Sequence, residues 1–194
     1  MAKLPAEIEE SIKKEALKYL ANGRGDWDIR HTLTAVKWMK RLADGEGGNE
    51  KILIPTMYFH DTGYEKLPYD YSHPECLEAK ASHAVQSAKI AEKYLRNLDY
   101  FSDAETNEIV RLVLNHDIHD NISDLDRQLV FEADGLGQID WYHCKPSYDK
   151  HNTELFMNTT FSKERIPGFR TKTGKTYLET LLPLTKQYLK DWSK

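Results

Sequence analysis

The sequence predicts an all-α fold, a helical bundle formed as one domain over residues 1–194. Three observations carry that expectation. Apolar residues recur at helical spacing in segment after segment. Clusters of Gly, Pro, Asn and Asp punctuate those segments at intervals of one helix length. Six side chains able to bind metal, His31, His60, Asp61, His83, His116 and Asp134, fall on or beside the apolar stripes of different segments. No two of the six have the spacing of a local chelate such as HExxH. A shared site would have to be assembled by several helices, as happens in the core of helical bundles.

The bulk properties set limits on function. A chain of 194 residues with 40% apolar and 30% charged residues can bury a core and still hold a polar pocket. Its net charge of -4 gives no general drive toward long nucleic acid or anionic membrane. The N-terminal stretch MAKLPAEIEESIKKEALKYL is rich in Glu and Lys and lacks the apolar core of a signal peptide. No apolar run approaches the ~20 residues that cross a bilayer. The two cysteines, Cys76 and Cys144, form no CxxC pair. A reduced, cytoplasmic setting is the expectation.

In chain order, Ile8, Ile12, Ala16 and Leu20 define an amphipathic helix from Pro5 to about Ala21, ended by Asn22-Gly23 and Gly25. A second helix runs from about Asp26 to Ala43, capped by Asp26 or Asp28. In it His31 lines up with Ala35, Trp38 and Leu42, so its ring belongs to the buried stripe. A lone histidine there is more often a satisfied core residue than a ligand. Asp28, three residues earlier, could orient the imidazole. The third helix, Asn49 to about Thr62, is apolar nearly all round and therefore central, with Pro55 expected in its first turn and Gly63 as its stop. His60 and Asp61 close it, and a buried carboxylate in that position needs a cation or strong donors.

Residues 63–77 read as a long loop, with Tyr64, Tyr69 and Tyr71 as pocket-shaping candidates and His73 at the surface. A helix from Glu78 to Asn97 carries the stripe Ala84, Ala88, Ala91, Leu95 and Leu98, with His83 beside it and Lys80 one turn earlier. The next helix, from Ala104 to about His119 with Asp103 as cap, places His116 in line with Ile109, Leu112 and Val113; Asp117 follows directly. A helix capped by Ser123 or Asp124 runs to about His143 and carries Asp134 in line with Val130, Gly137 and Trp141. Gly135 and Gly137 suit a close approach by another backbone or a ligand. Residues 145–160 read as loop with a short helix. The stretch FSKERIPGFRTKTGKTY then concentrates Lys163, Arg165, Arg170, Lys172 and Lys175 against Glu164. That excess is either a solvated basic loop or a phosphate clamp, for which Arg170 and Lys172 are the candidates. A last helix, Thr176 to Trp192, closes the chain.

The ordered set of His31, His60-Asp61, His83, His116 and Asp134 resembles the HD-domain superfamily, an all-helical fold named for its central His-Asp doublet. The likeness covers about residues 26–140 and rests on DWDIRHTLTAVKWM, on FHDTG and on FEADGLGQ, each in the segment where that family carries a metal ligand. It implies that His31, His60, Asp61 and Asp134 hold one ion. His83 and His116 match the extra histidines of members that bind two ions bridged by Asp61. Where some dinuclear members have a second consecutive histidine, this chain has Asp117, which then counts as a supporting residue together with Asp28. The mixed imidazole and carboxylate set suits Mn, Fe, Co, Ni or Zn, with Mg also compatible.

The activity that the resemblance implies is metal-dependent phosphohydrolysis of a small phosphorylated substrate, an ester or a nucleotide. Asp61, His83 and His116 would be the catalytic residues, and Lys80, Arg170 and Lys172 the phosphate contacts. Mixed-valent di-iron oxygenases of the same fold use a four-His, two-Asp set in the same order, and they form the alternative. A non-catalytic ligand-binding module is the third reading, disfavoured because no member of the ligand set is missing.

Overall fold

A computed structural model describes residues 3–64 and 72–192, without the side chains of residues 76–78, 80 and 81. Among the described residues the regular structure is entirely helical. The first three helices are α1 (Ala6–Leu20), α2 (Asp26–Glu46) and α3 (Glu50–Phe59); α4 (His73–Asn97), α5 (Asp103–Asn115) and α6 (Leu125–Ile139) follow. A short α7 (Lys150–Phe156) continues into a π-helical stretch, Met157–Arg165, and a 3₁₀ turn, Ile166–Gly168. The last helix is α8 (Lys172–Lys190). No helix among the described residues is long and apolar enough to cross a membrane.

α3 is the axis of the bundle. It packs against α1, α2, α4, α5 and α6. Ile52, Leu53, Ile54, Met57, Tyr58 and Phe59 are all buried on it, so the nearly all-round apolar pattern has its physical cause in neighbours on every side. Each such large apolar side chain contributes roughly 1.5–3 kcal/mol when fully buried. Two helix pairs flank the axis and form the most extensive contacts of the fold: α2 with α6, and α4 with α5. The close fit of α2 on α6 depends on Gly137. A Cβ there would stand 3.0 Å from the Ala35 Cβ and 3.2 Å from the His31 ring. The turn after α3 depends likewise on Gly63, whose Cβ would meet the His83 carbonyl oxygen at 2.2 Å.

Several boundaries differ from the sequence-based expectation, each for a local reason. Asn49 caps α3, as expected, by accepting from the Lys51 N–H, but Pro55 lies in the interior of the helix and not in its first turn. Its missing N–H leaves one gap in the ladder. α3 also ends sooner than expected, at Phe59, with His60 as its C-cap. α4 begins at His73, five residues earlier than expected, because Ser72 and Glu75 form a reciprocal capping box with Pro74 in the first turn. His73 is accordingly buried, with Nε2 3.1 Å from the Thr160 hydroxyl, and not a surface loop residue. Ser102, not Asp103, caps α5 through a second such box with Glu105. α5 stops at Asn115, with His116 as its C-cap, and α6 is capped by Asp124 and ends at Ile139. Much of the basic stretch is helical too, since it holds the end of the π-helix and the start of α8.

Candidate metal centre

The six side chains picked out from the sequence are all buried and all converge. His31 comes from α2 and Asp134 from α6; His83 comes from α4, and His116 from the end of α5. His60 and Asp61 stand between the two pairs, at the end of the axial helix. His60 and His116 share one local construction. Each is a helix C-cap, and each donates Nδ1–H to the carbonyl three residues back, Met57 at 2.8 Å and Val113 at 2.7 Å. That bond fixes the tautomer and turns Nε2 inward.

The inward atoms form two groups. In the first, the His31 and His60 Nε2 atoms are 3.2 Å apart. Asp134 Oδ1 lies 3.0 and 3.8 Å from them, and Asp61 Oδ2 lies 3.7 and 3.4 Å from them. In the second, the His83 and His116 Nε2 atoms are 3.0 Å apart, with Asp61 Oδ1 at 3.4 and 3.5 Å. Asp117 Oδ2 is at 3.3 and 3.6 Å from the same two nitrogens. Donors about 2.1 Å from a common ion and 90–120° apart stand about 3.0–3.6 Å from one another. The residues therefore fit a divalent ion, and the carboxylate of Asp61 faces both groups.

Electrostatics explains how the buried cluster is held. Burial works against a charged His60, but the Asp61 charge and then Asp134 outweigh it and raise its pKa to about 9. Burial likewise opposes the charge of Asp61, yet His60, Arg24 and hydrogen bonds from His116 and His83 hold that carboxyl well below the usual carboxylate range. Asp134 is kept low against burial by Arg165, His31 and His60. A protonated His60 would carry part of the charge that a bound ion supplies, and metal binding would displace that proton.

Two buried arginines support the carboxylates, and sequence reasoning assigned neither to the site. Arg24 donates to Asp61 Oδ2 at 2.7 Å and to Asp28 through Nε at 2.7 Å. Its guanidinium lies 3.6 Å from the Tyr64 ring and 4.5 Å from the Trp27 ring. Those rings in turn stack on His83 and His31. Arg165, one of the largest fully buried side chains, donates Nη2 to Asp134 Oδ2 at 2.5 Å, and the same nitrogen lies 3.6 Å from Asp117 Oδ1. For Arg24 the available signal was a cation between two glycines, one helical turn before Asp28. For Arg165 there was none, because the π-helical winding that turns it inward leaves no period in the sequence.

Asp28 differs from its expected role. It accepts from the Arg24 backbone and side chain and so supports Asp61, while the buried Nδ1 of His31 has no hydrogen-bond partner among the described residues. Asp117, expected as a supporting residue, places an oxygen at ligand distance. Arg170 and Lys172 point their contacts elsewhere. Arg170 Nη1 donates to the Ile122 carbonyl, its N–H donates to Glu132, and Lys172 is exposed near Glu46 at the start of α8. Of the pocket candidates, Tyr64 is buried against His83. Tyr69, Tyr71 and the Lys80 side chain lie outside the described residues.

A family model described as HD domain matches residues 28–137, more than half of the chain. The match spans all six candidate ligands and stops short of both supporting arginines. No curated protein and no solved structure matches the chain.

Proposed function

The chain belongs to the HD domain family, and from that premise we propose that it is a metal-dependent phosphohydrolase acting on a small phosphate ester or nucleotide. The observation that carries the reading is one carboxylate, Asp61, facing two imidazole pairs from opposite oxygens. A bound divalent ion would supply Lewis acidity, lowering the pKa of a coordinated water and neutralising charge on phosphoryl oxygens. His31, His60, Asp61 and Asp134 would hold the first ion, and Asp61, His83 and His116 the second.

The protein's own contribution is positioning. The Nδ1–H bonds of His60 and His116 hold their rings with Nε2 inward before any ion arrives, and Arg24 and Arg165 align Asp61 and Asp134. With a single ion bound, His83 and His116 would instead face the substrate, and either could give a proton to the leaving oxygen. Asp117 and His119, each with 18% of its side chain exposed, form the most open face of the cluster, and this is where a small phosphate would enter. Arg170 would reach it only by leaving the Ile122 carbonyl, and Lys172 is exposed near Glu46 at the start of α8.

The test is phosphate release from a panel of nucleotides and sugar phosphates by protein loaded with Mn. Release that is lost in Asp61→Ala, with helical circular dichroism retained, is the expected result. Two irons per chain, substrate-dependent oxygen uptake and no phosphate release would replace the hydrolase with the oxidative reading.

A further inference from the structure

We propose that Asp117 is the fourth protein donor of the second ion site, completing a set with His83, His116 and the Oδ1 atom of Asp61. The proposal rests on the two-ion form of the reading above. It starts from a repetition in the chain. His116-Asp117 is a second His-Asp doublet, and it sits in the same local frame as His60-Asp61. Both histidines are helix C-caps with nearly the same backbone, φ -54 and ψ -39 at His60 and φ -62 and ψ -31 at His116. Both bond Nδ1–H to the carbonyl three residues back. The chain thus delivers two imidazoles and two following carboxylates to the same space by one device used twice.

The distances carry the argument further. Asp117 stands to the second imidazole pair as Asp134 stands to the first. One oxygen of Asp134 lies 3.0 and 3.8 Å from His31 and His60. One oxygen of Asp117 lies 3.3 and 3.6 Å from His83 and His116. The remaining oxygen of each carboxylate faces the same buried nitrogen, Nη2 of Arg165, at 2.5 Å for Asp134 and 3.6 Å for Asp117. A single guanidinium therefore spans the outer edges of both groups, leaving one oxygen of each carboxylate turned inward. With Asp117 included, His31, His60 and Asp134 would hold one ion and His83, His116 and Asp117 the other, with Asp61 facing both groups. Such a nitrogen and oxygen mixture suits Mn, Fe, Co or Zn at both positions.

The experiment counts ions and does not depend on turnover. Metal-free wild-type protein, Asp117→Asn, Asp117→Ser and Asp117→His are titrated with Mn, desalted and assayed by elemental analysis, with EPR following the change from isolated to spin-coupled Mn. Wild type should bind two ions per chain with a coupled signal. Asp117→Asn and Asp117→Ser should keep one ion and bind the second at least about 100-fold more weakly, beyond what loss of an outer partner costs. Asp117→His, which supplies a new donor at that position, should restore the second ion. A smaller loss of second-ion affinity in the Asn or Ser variant overturns the proposal and leaves the two-ion centre standing. A single ion in wild type overturns the two-ion centre itself and this proposal with it. Because two truncating variants are read side by side, a folding failure of one leaves the other to decide.

Discussion

The two halves of the centre share Asp61 but are built to different tolerances. The half made by α2 and α6 is closed. His31, His60 and Asp134 have side chains no more than 3% exposed, Gly137 lets the helices meet, and Arg165 grips Asp134 at 2.5 Å. In the half made by α4 and α5, His83 and His116 are as buried, at 1% each, and the looseness is confined to Asp117. Asp117 lies just past the end of α5 with 18% of its side chain exposed, and Arg165 stands 3.6 Å from it. Both halves use the same residue types at similar spacing, so the contrast comes from packing and not from composition. An ion in the closed half would be held away from water, and the partly exposed Asp117 would leave the other half the one open to exchange.

The largest expected effect comes from removing what the halves share. Asp61→Ala should empty both, with ion content falling toward zero and phosphate release falling about a thousandfold or more. One ion retained at wild-type affinity would show that the halves are independent. Next is the arginine that spans them. Arg165→Met leaves the Asp134 carboxylate buried without its guanidinium, and breaking such a pair costs about 3 kcal/mol or more. Urea denaturation of metal-free protein should show that loss, against about 1 kcal/mol or less for Asp117→Asn, whose ion pair is longer and partly solvated. Equal losses would erase the difference in tolerance.

A pH series sharpens the closed half further. The His60 pKa in the folded, metal-free protein is raised to about 9 from the ordinary 6.5. Its contribution to stability is therefore complete below about pH 6.5 and is lost as pH rises through about 9. The Tm of metal-free protein should fall between pH 6.5 and 9.5, and metal-loaded protein, in which the proton is already displaced, should fall less. A flat profile without metal would mean that the cluster carries no such proton. The smallest effect belongs to the basic tail. Arg170→Ala and Lys172→Ala should change KM by less than about threefold, since both side chains are exposed and Arg170 is bonded to the Ile122 carbonyl. A tenfold rise in KM would return the tail to the site as a phosphate clamp.

Much of the molecule could be read directly from the chain. The fold class and the axial role of α3 followed from periodicity, which also turned His31, His116 and Asp134 toward the core, because a side chain in line with a buried stripe faces inward wherever the helix packs; the grouping of the six candidates into one ligand set came from the likeness to the HD-domain superfamily. The pattern Ile109, Leu112, Val113, His116 aims a side chain inward without knowledge of its neighbours. Helix starts were less legible. Ser72 with Glu75 and Ser102 with Glu105 are recognisable boxes, but the first lies in a stretch that reads as a long loop, and Asp103 offers a competing cap beside the second.

What only the tertiary structure decided is the relation between segments distant in the chain. Arg24 meets Asp61 across 37 residues, and Arg165 meets Asp134 across 31. No local period encodes either contact, and the π-helical turn that directs Arg165 inward gives no repeat to read. Asp117 shows the same division within a single residue. Its place after a helix-capping histidine is sequence, whereas its 3.3 Å approach to His83 exists only because α4 and α5 pack together. Periodicity tells a side chain which way to face, and the packing of helices determines what it finds there.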